Sequence, residues 1–296
     1  MKYYLITIFL CILTLSLIVF GQSSLRNFVL TFDWNYLDGV LSRSLLENEP
    51  TLNKNDIEST DFDFNYSWLN EESFIFIAHR GGDWLSTGQN TKETIKKSID
   101  HKVKFIEVDL DFNESGEIVC LSDTDPLYSP CNLEWLSQML KKYHFYLVLD
   151  VKFNVHNLEL YSKFYERILD ADILAGLHCR IIPQVYNFLH LKILNDFSYP
   201  TGPIFTTYRT NVPDKVIHEV LTKTSIKAMT VPFSSISVLK EFEKSTLSFF
   251  VHPVSQDSEL SLSRSHKVKG VYTNVFLYSQ AEDMAEKATD LLCQNN

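Results

Sequence analysis

The chain has 296 residues, 45% of them hydrophobic, and a formal net charge of −10. That length and apolar fraction allow a sizeable core and suit one large α/β domain or two small ones. The acidic balance, with no block of basic residues, argues against a nucleic-acid partner, because nothing would replace counterions along the phosphates, and gives no pull toward an anionic membrane surface.

Residues 3–20 carry no charge and follow Lys2. An apolar run of that length is long for a signal-peptide core and just long enough to span a bilayer. The expectation is an uncleaved anchor with Lys2 on the cytoplasmic side and the domain outside the cytoplasm. Cleavage after Gly21 is the alternative and would give a secreted protein. Residues 1–21 are therefore a transmembrane anchor or a signal peptide. Residues 22–72 read as a lead-in segment, with an amphipathic patch over 37–46 and an Asn/Asp/Glu-rich run over 48–65. Its aromatics Trp34, Tyr36, Tyr66 and Trp68 are expected to pack onto the domain, since no basic residues interleave them.

From residue 73 to 296, strand-like runs alternate with helix-like stretches, the βα pattern of a parallel sheet. The predicted strands cover 74–78, 105–110, 146–151, 180–185, 204–208, 228–231, 248–251 and 270–273, with an extra hairpin strand over 117–121. Eight parallel strands in about 220 residues predict a closed (β/α)8 TIM barrel, with an open doubly wound sheet as the alternative. Helix signals fit between them. Asn90 reads as a cap with Glu93 at the third helical position, residues 133–140 follow Pro130, and Pro213-Asp214 opens a helix to Leu221.

Barrel polarity sorts the polar residues, because chemistry belongs at the carboxyl ends of the strands. Those ends carry His79-Arg80, Glu107 and Asp109, Asp150 and Lys152, Gln184, Tyr208-Arg209, His252 and Asn274. Two carboxylates two residues apart on a strand share a face, so Glu107 and Asp109 can converge on one hard cation, Mg²⁺ or Ca²⁺. The glycines after Arg80 let a ligand approach the backbone. His101, His144, His178 and His266 precede their strands and fall at the opposite face. His190 and His218 lie in helical stretches and, like those four, are expected to be solvent or loop residues without a role, and His156 reads as a surface-loop residue. Cys120 and Cys131 are close enough in sequence to pair, with unpaired buried thiols as the blander expectation.

The stretch His79-Arg80-Gly81, Gln89-Asn90-Thr91, Glu107-Val108-Asp109 and Gly116 to Ser122-Asp123 resembles the glycerophosphodiester phosphodiesterase family. That pattern reads His-Arg-Gly, Glu-Asn-Thr, Glu-x-Asp and Gly-x-x-Val-x-x-His-Asp. Asp150-Val-Lys152 falls where the family has Glu-x-Lys, and Pro130-Cys-Asn-Leu-Glu134 matches a Pro-x-x-Leu-Glu segment. Gln89 replaces the family's Glu, Ser122 its second catalytic His, and Asn274 an Asp.

The resemblance implies a metal-dependent phosphoric diester hydrolase. Glu107, Asp109 and Asp150 would hold the divalent cation, Arg80 and Lys152 the phosphate, and His79 would be the acid–base group, with His252 at the mouth as a substitute for the missing partner. Loss of one acid–base group costs about 10²–10⁴ in rate, which predicts weak turnover of a small phosphodiester or phospholipid-derived substrate. The competing expectation is a pseudoenzyme that binds a phosphorylated ligand or a protein partner.

Overall fold

The computed structural model describes residues 62–82, 88–121, 130–154, 156–207, 217–218, 221–222, 224–242, 244–266 and 268–274. The expected anchor, most of the lead-in segment, Ser122-Asp123, Tyr208-Arg209 and the start of the helix at Pro213 lie outside them. Among the described residues no helix is long and apolar enough to cross a membrane.

Among the described residues nine strands form one sheet: β1 Ile75–Ala78, β2 Phe105–Phe112, β3 Ile118–Cys120, β4 Tyr146–Val151, β5 Ile181–Val185, β6 Ile204–Thr206, β7 Ala228–Pro232, β8 Ser248–Val254 and β9 Gly270–Thr273. All but β3 pair in parallel, in the order β1-β9-β8-β7-β6-β5-β4-β2, and β1 also pairs with β2 to close the ring. The result is the eight-stranded barrel expected from the alternation. β3 is the extra hairpin strand, antiparallel to β2, with Leu110 opposite Cys120. Closure leaves no space at Gly270, where a Cβ would stand 2.3 Å from the Ile75 carbonyl oxygen.

The strands are nearly continuous apolar runs because both faces are covered. Phe105 stacks on Tyr146 at 4.9 Å, and Trp68 lies 6.2 Å from Phe105 and 5.8 Å from Phe250. Trp68 belongs to a short 3₁₀ turn, Ser67–Asn70, whose indole N–H donates to the Gly202 carbonyl at 3.0 Å. Tyr66 donates to the Pro203 carbonyl. This turn fills the amino-terminal end of the barrel, so Tyr66 and Trp68 pack as the sequence predicts.

Helices α1 Lys92–Asp100, α2 Leu133–Lys142, α3 Leu158–Asp170, α4 Phe188–Asp196 and α5 Asp257–Ser265 surround the sheet. Three of them begin at asparagine caps, Asn132, Asn157 and Asn187, whose side chains accept the exposed N–H of the first turn. In α3 the buried residues Tyr161, Phe164, Tyr165 and Ile168 repeat at helical spacing and form one apolar stripe. Truncating Phe164 to Ala would cost about 3–5 kcal/mol by transfer and cavity terms.

Three sequence expectations are corrected. The cap of α1 is Thr91, which accepts from Thr94 N, because Asn90 sits at φ 54 whereas a capping residue needs extended backbone. Cys120 and Cys131 form a disulfide with Cα atoms 5.0 Å apart. The antiparallel return of β3 and the bridge from Val119 to Asn132 bring the two cysteines opposite one another, which sequence distance alone could not decide. His190 is neither a solvent nor a loop residue. It is fully buried and stacked on Tyr161 at 3.6 Å.

Candidate functional site

β1 delivers His79 and Arg80 to the mouth, and the chain turns at once through left-handed backbone at Arg80 (φ 54), Gly81 (φ 87) and Gly82 (φ 115). Such a conformation costs a non-glycine residue energy and persists only where surroundings hold it. The hold is visible: the Arg80 N–H donates to Glu107 Oε2 at 2.5 Å, and Arg80 Nη1 donates to Gln89 Oε1 at 2.6 Å. Gln89 thus keeps an acceptor for Arg80 without the charge of a glutamate.

β2 and β4 supply the acids. Glu107, Asp109 and Asp150 are buried, and one oxygen from each lies within 4.8 Å of the other two. Register explains the convergence, since Asp109 pairs with Asp150 across adjacent parallel strands and Glu107 lies two residues before Asp109 on the same face. Lys152 Nζ stands between the aspartates, 2.7 Å from Asp109 Oδ1 and 2.5 Å from Asp150 Oδ2. Arg80 Nε is 3.1 Å from Asp109 Oδ2. The ion pair expected as the alternative role for Lys152 therefore exists, with both aspartates at once.

Arg80 and Lys152 match the charges of Asp109 and Asp150 and leave Glu107 without a counter-charge. Burial and then the charges of Asp109 and Asp150 push the Glu107 carboxyl well up, with Lys152 opposing. For Asp109 burial also pushes up, but Lys152 and Arg80 outweigh it and hold the group below the usual carboxylate range. Glu107 Oε1 is buried with no hydrogen-bond donor on it. As bare carboxylates Glu107 and Asp109 have no donor between them, and either a shared proton or a cation supplies what is missing. The oxygen-only donor set and this orphaned atom fit a hard divalent cation.

Two histidines line the same wall. His79 Nδ1 is hydrogen-bonded to Asn274 Oδ1, so Nδ1 carries the proton and Nε2 keeps its lone pair. Burial, then the charge of Arg80, lowers the His79 pKa to about 3. The ring of His252 meets His79 edge to face at 4.3 Å between centroids and Tyr272 at 5.3 Å. Burial, with His79 and Lys152 adding to it, holds His252 well below the usual histidine range.

The seven residues given roles from the sequence, His79, Arg80, Glu107, Asp109, Asp150, Lys152 and His252, thus meet at the carboxyl end of the barrel. His101 is exposed and His266 half-buried, each bonded to a backbone carbonyl of its own helix, and His178 donates its Nε2–H to the Ile168 carbonyl at 3.0 Å. Two contributors were missed. Asn90 accepts from Asp109 N at 3.0 Å and donates to the Leu121 carbonyl at 2.7 Å, tying β2 to the hairpin. The Tyr186 hydroxyl donates to Asp150 Oδ1. The Gln89-Asn90-Thr91 motif was a signal in the sequence for the first, whereas no role for Tyr186 could be read from its local pattern.

No family model matches the chain, and no curated protein sequence does. Solved structures do. A protein assigned as a glycerophosphoryl diester phosphodiesterase from Silicibacter pomeroyi superposes with a TM-score of 0.58 at 11% identity, over 71% of this chain and 95% of its own. The chain has the fold of the glycerophosphodiester phosphodiesterases. A glycerophosphodiester phosphodiesterase from Parabacteroides distasonis gives 0.56 at 13% identity over 71% and 96%. A phosphodiesterase from Oleispira antarctica, solved with its product sn-glycerol-3-phosphate, gives 0.53 at 11% identity over 68% and 92%. More than nine-tenths of each of those three chains is covered.

Proposed function

We propose that this barrel is a metal-dependent phosphodiester hydrolase of the glycerophosphodiester phosphodiesterase type with slow turnover. The observation that carries the reading is the cluster of three buried carboxylates within 4.8 Å of one another, set beside two cationic and two neutral imidazole side chains. Glu107, Asp109 and Asp150 would hold Mg²⁺ or Ca²⁺. A cation there would polarise the phosphoryl oxygens of the diester. Arg80 and Lys152 stabilise charge on the phosphate, Arg80 through its planar fork. His79 takes a proton from the attacking water on Nε2, while Asn274 holds the ring by its Nδ1–H. His252 then supplies the leaving-group proton. Burial disfavours the protonated imidazole that must donate it, and with Ser122 in the family's histidine position turnover is slow.

The substrate class is a small glycerophosphodiester or lysophospholipid, by extension from the neighbours of the same fold, one of which was solved with sn-glycerol-3-phosphate. We further propose a membrane anchor over residues 3–20 and a domain outside the cytoplasm, where the Cys120–Cys131 disulfide would persist. The test is the full-length protein against a panel of glycerophosphodiesters and lysophospholipids with Mg²⁺, Ca²⁺ or chelator. Release of a phosphomonoester that needs the cation is the expected result, and no release with any substrate overturns the enzymatic reading.

One observation favours a second reading. Lys152 bridges Asp109 and Asp150, so with a proton on Glu107 the site is electrically balanced with no cation at all. A pseudoenzyme that binds a phosphorylated ligand through Arg80 and Lys152 would need nothing more.

A further inference from the structure

Resting on the cation site proposed above, we infer that Tyr186 is a positioning residue that holds Asp150 aimed at the cation. The hydroxyl of Tyr186 donates to Asp150 Oδ1, and Lys152 Nζ donates to Asp150 Oδ2. With one donor on each oxygen the carboxylate plane is fixed about a torsion that is otherwise broad and soft.

The two donors are not equivalent. Lys152 is charged and also contacts Asp109, so it competes for the same two carboxylates as an entering cation and must shift when one arrives. Tyr186 is neutral. It donates without repelling a cation and can keep its bond in both states, which leaves it as the partner that preserves the aim of Asp150 once Lys152 has moved toward the phosphate. Ligand carboxylates held by such outer partners lose affinity when the partner is removed, by about 10–100-fold.

The position of Tyr186 is itself well defined. The residue follows β5, and its ring is 2% exposed. Its backbone N–H points to His190 Nδ1 at 3.5 Å, and His190 is clamped on the Tyr161 ring and donates its own backbone N–H to Asn187 Oδ1, the cap of α4, at 2.9 Å. The first turn of α4 therefore ties down the Tyr186 backbone, and the Tyr186 hydroxyl holds the acid. A buried phenol with its hydroxyl on a carboxylate is a costly arrangement to make by chance, because either group left alone would pay the full desolvation penalty.

The test is calorimetric titration of the full-length protein with Mg²⁺ and with Ca²⁺, for wild type, Tyr186→Phe, Tyr199→Phe, Glu107→Gln and Asp150→Asn. Tyr199→Phe is the control, the same deletion in the same core on a hydroxyl that bonds the Ile181 carbonyl and no acid of the site. Expected is a Kd about 10–100-fold weaker for Tyr186→Phe, with one cation still bound, no change for Tyr199→Phe, and no binding for Glu107→Gln. In the Asp150→Asn background, adding Tyr186→Phe should cost little more, because the two residues act as a unit. A purely structural role for Tyr186 would lower the thermal midpoint and leave Kd untouched. Wild-type Kd in Tyr186→Phe while Glu107→Gln abolishes binding overturns the inference and leaves the cation site standing. Unchanged binding in Glu107→Gln overturns both.

Discussion

Glu107→Gln separates a cation site from a site that is merely acidic. Glutamine reproduces the neutral form of Glu107: it keeps an acceptor for the Arg80 N–H, now 2.5 Å from Oε2, and turns an N–H toward Asp109, where the glutamate needs a proton. Without cation the variant should melt at or above the wild-type midpoint, since a buried carboxyl under repulsion from two aspartates has been replaced by an amide. With cation the order reverses. A ligand at 100 times its Kd stabilises by about 2.7 kcal/mol. For a domain of this size each kcal/mol is worth about 2–4 °C, so wild type should rise by about 5–10 °C and the variant should not move. Burial and the two aspartates push the Glu107 carboxyl up, so cation entry displaces protons from it. Titrations in two buffers of different ionisation enthalpy should therefore report net proton release on binding in wild type, and an apparent affinity that rises with pH. Thermal unfolding with Mg²⁺, Ca²⁺ or chelator is the assay. A midpoint shift that survives in Glu107→Gln refutes the site, and a wild type that shifts with neither cation favours the pseudoenzyme.

Ser122→His should raise turnover, by up to about 10²–10⁴-fold if a missing acid is the limit, while His252→Gln then changes little; if His252 already serves as the acid, His252→Gln abolishes turnover and Ser122→His gains little. Rates with one glycerophosphodiester at saturating cation decide between these, and activity that survives both His79→Gln and His252→Gln removes the acid–base assignment. Asn274→Asp should move the acid limb of the kcat/KM profile up by about 1–3 pH units, because a carboxylate against Nδ1–H favours the imidazolium. Stability should fall as pH drops from 6.5 toward 3: in that window the unfolded chain takes a proton on His79 and the folded one does not, a slope of about 1.4 kcal/mol per pH unit that His79→Gln removes, read by denaturant titration across pH. Fractionation of expressing cells should find the full-length chain in the membrane fraction, and a soluble product beginning near Gln22 would replace the anchor with a cleaved signal.

The strand runs and most of the site were legible without coordinates, because a parallel barrel buries both faces of its strands. An apolar run then stands out, and any charge at its carboxyl end is conspicuous. Glu107, Asp109 and Asp150 could be singled out on that ground, and the spacing of Glu107 and Asp109 already placed them on one face. Relations across the barrel were not legible. That Asp109 pairs with Asp150, that Lys152 bridges them, and that the rings of His79 and His252 touch across the closure through β9 follow from strand register and closure, which are set by packing between segments far apart in sequence. Local rules misread Asn90 for a related reason: its residue type suits a helix cap, but its side chain is committed to Asp109 and Leu121, contacts that exist only once β2 and the hairpin are in place. The Cys120–Cys131 bond and the Tyr186 hydroxyl on Asp150 are likewise meetings of partners whose own segments carry no mark of the other, so only the tertiary structure could decide them.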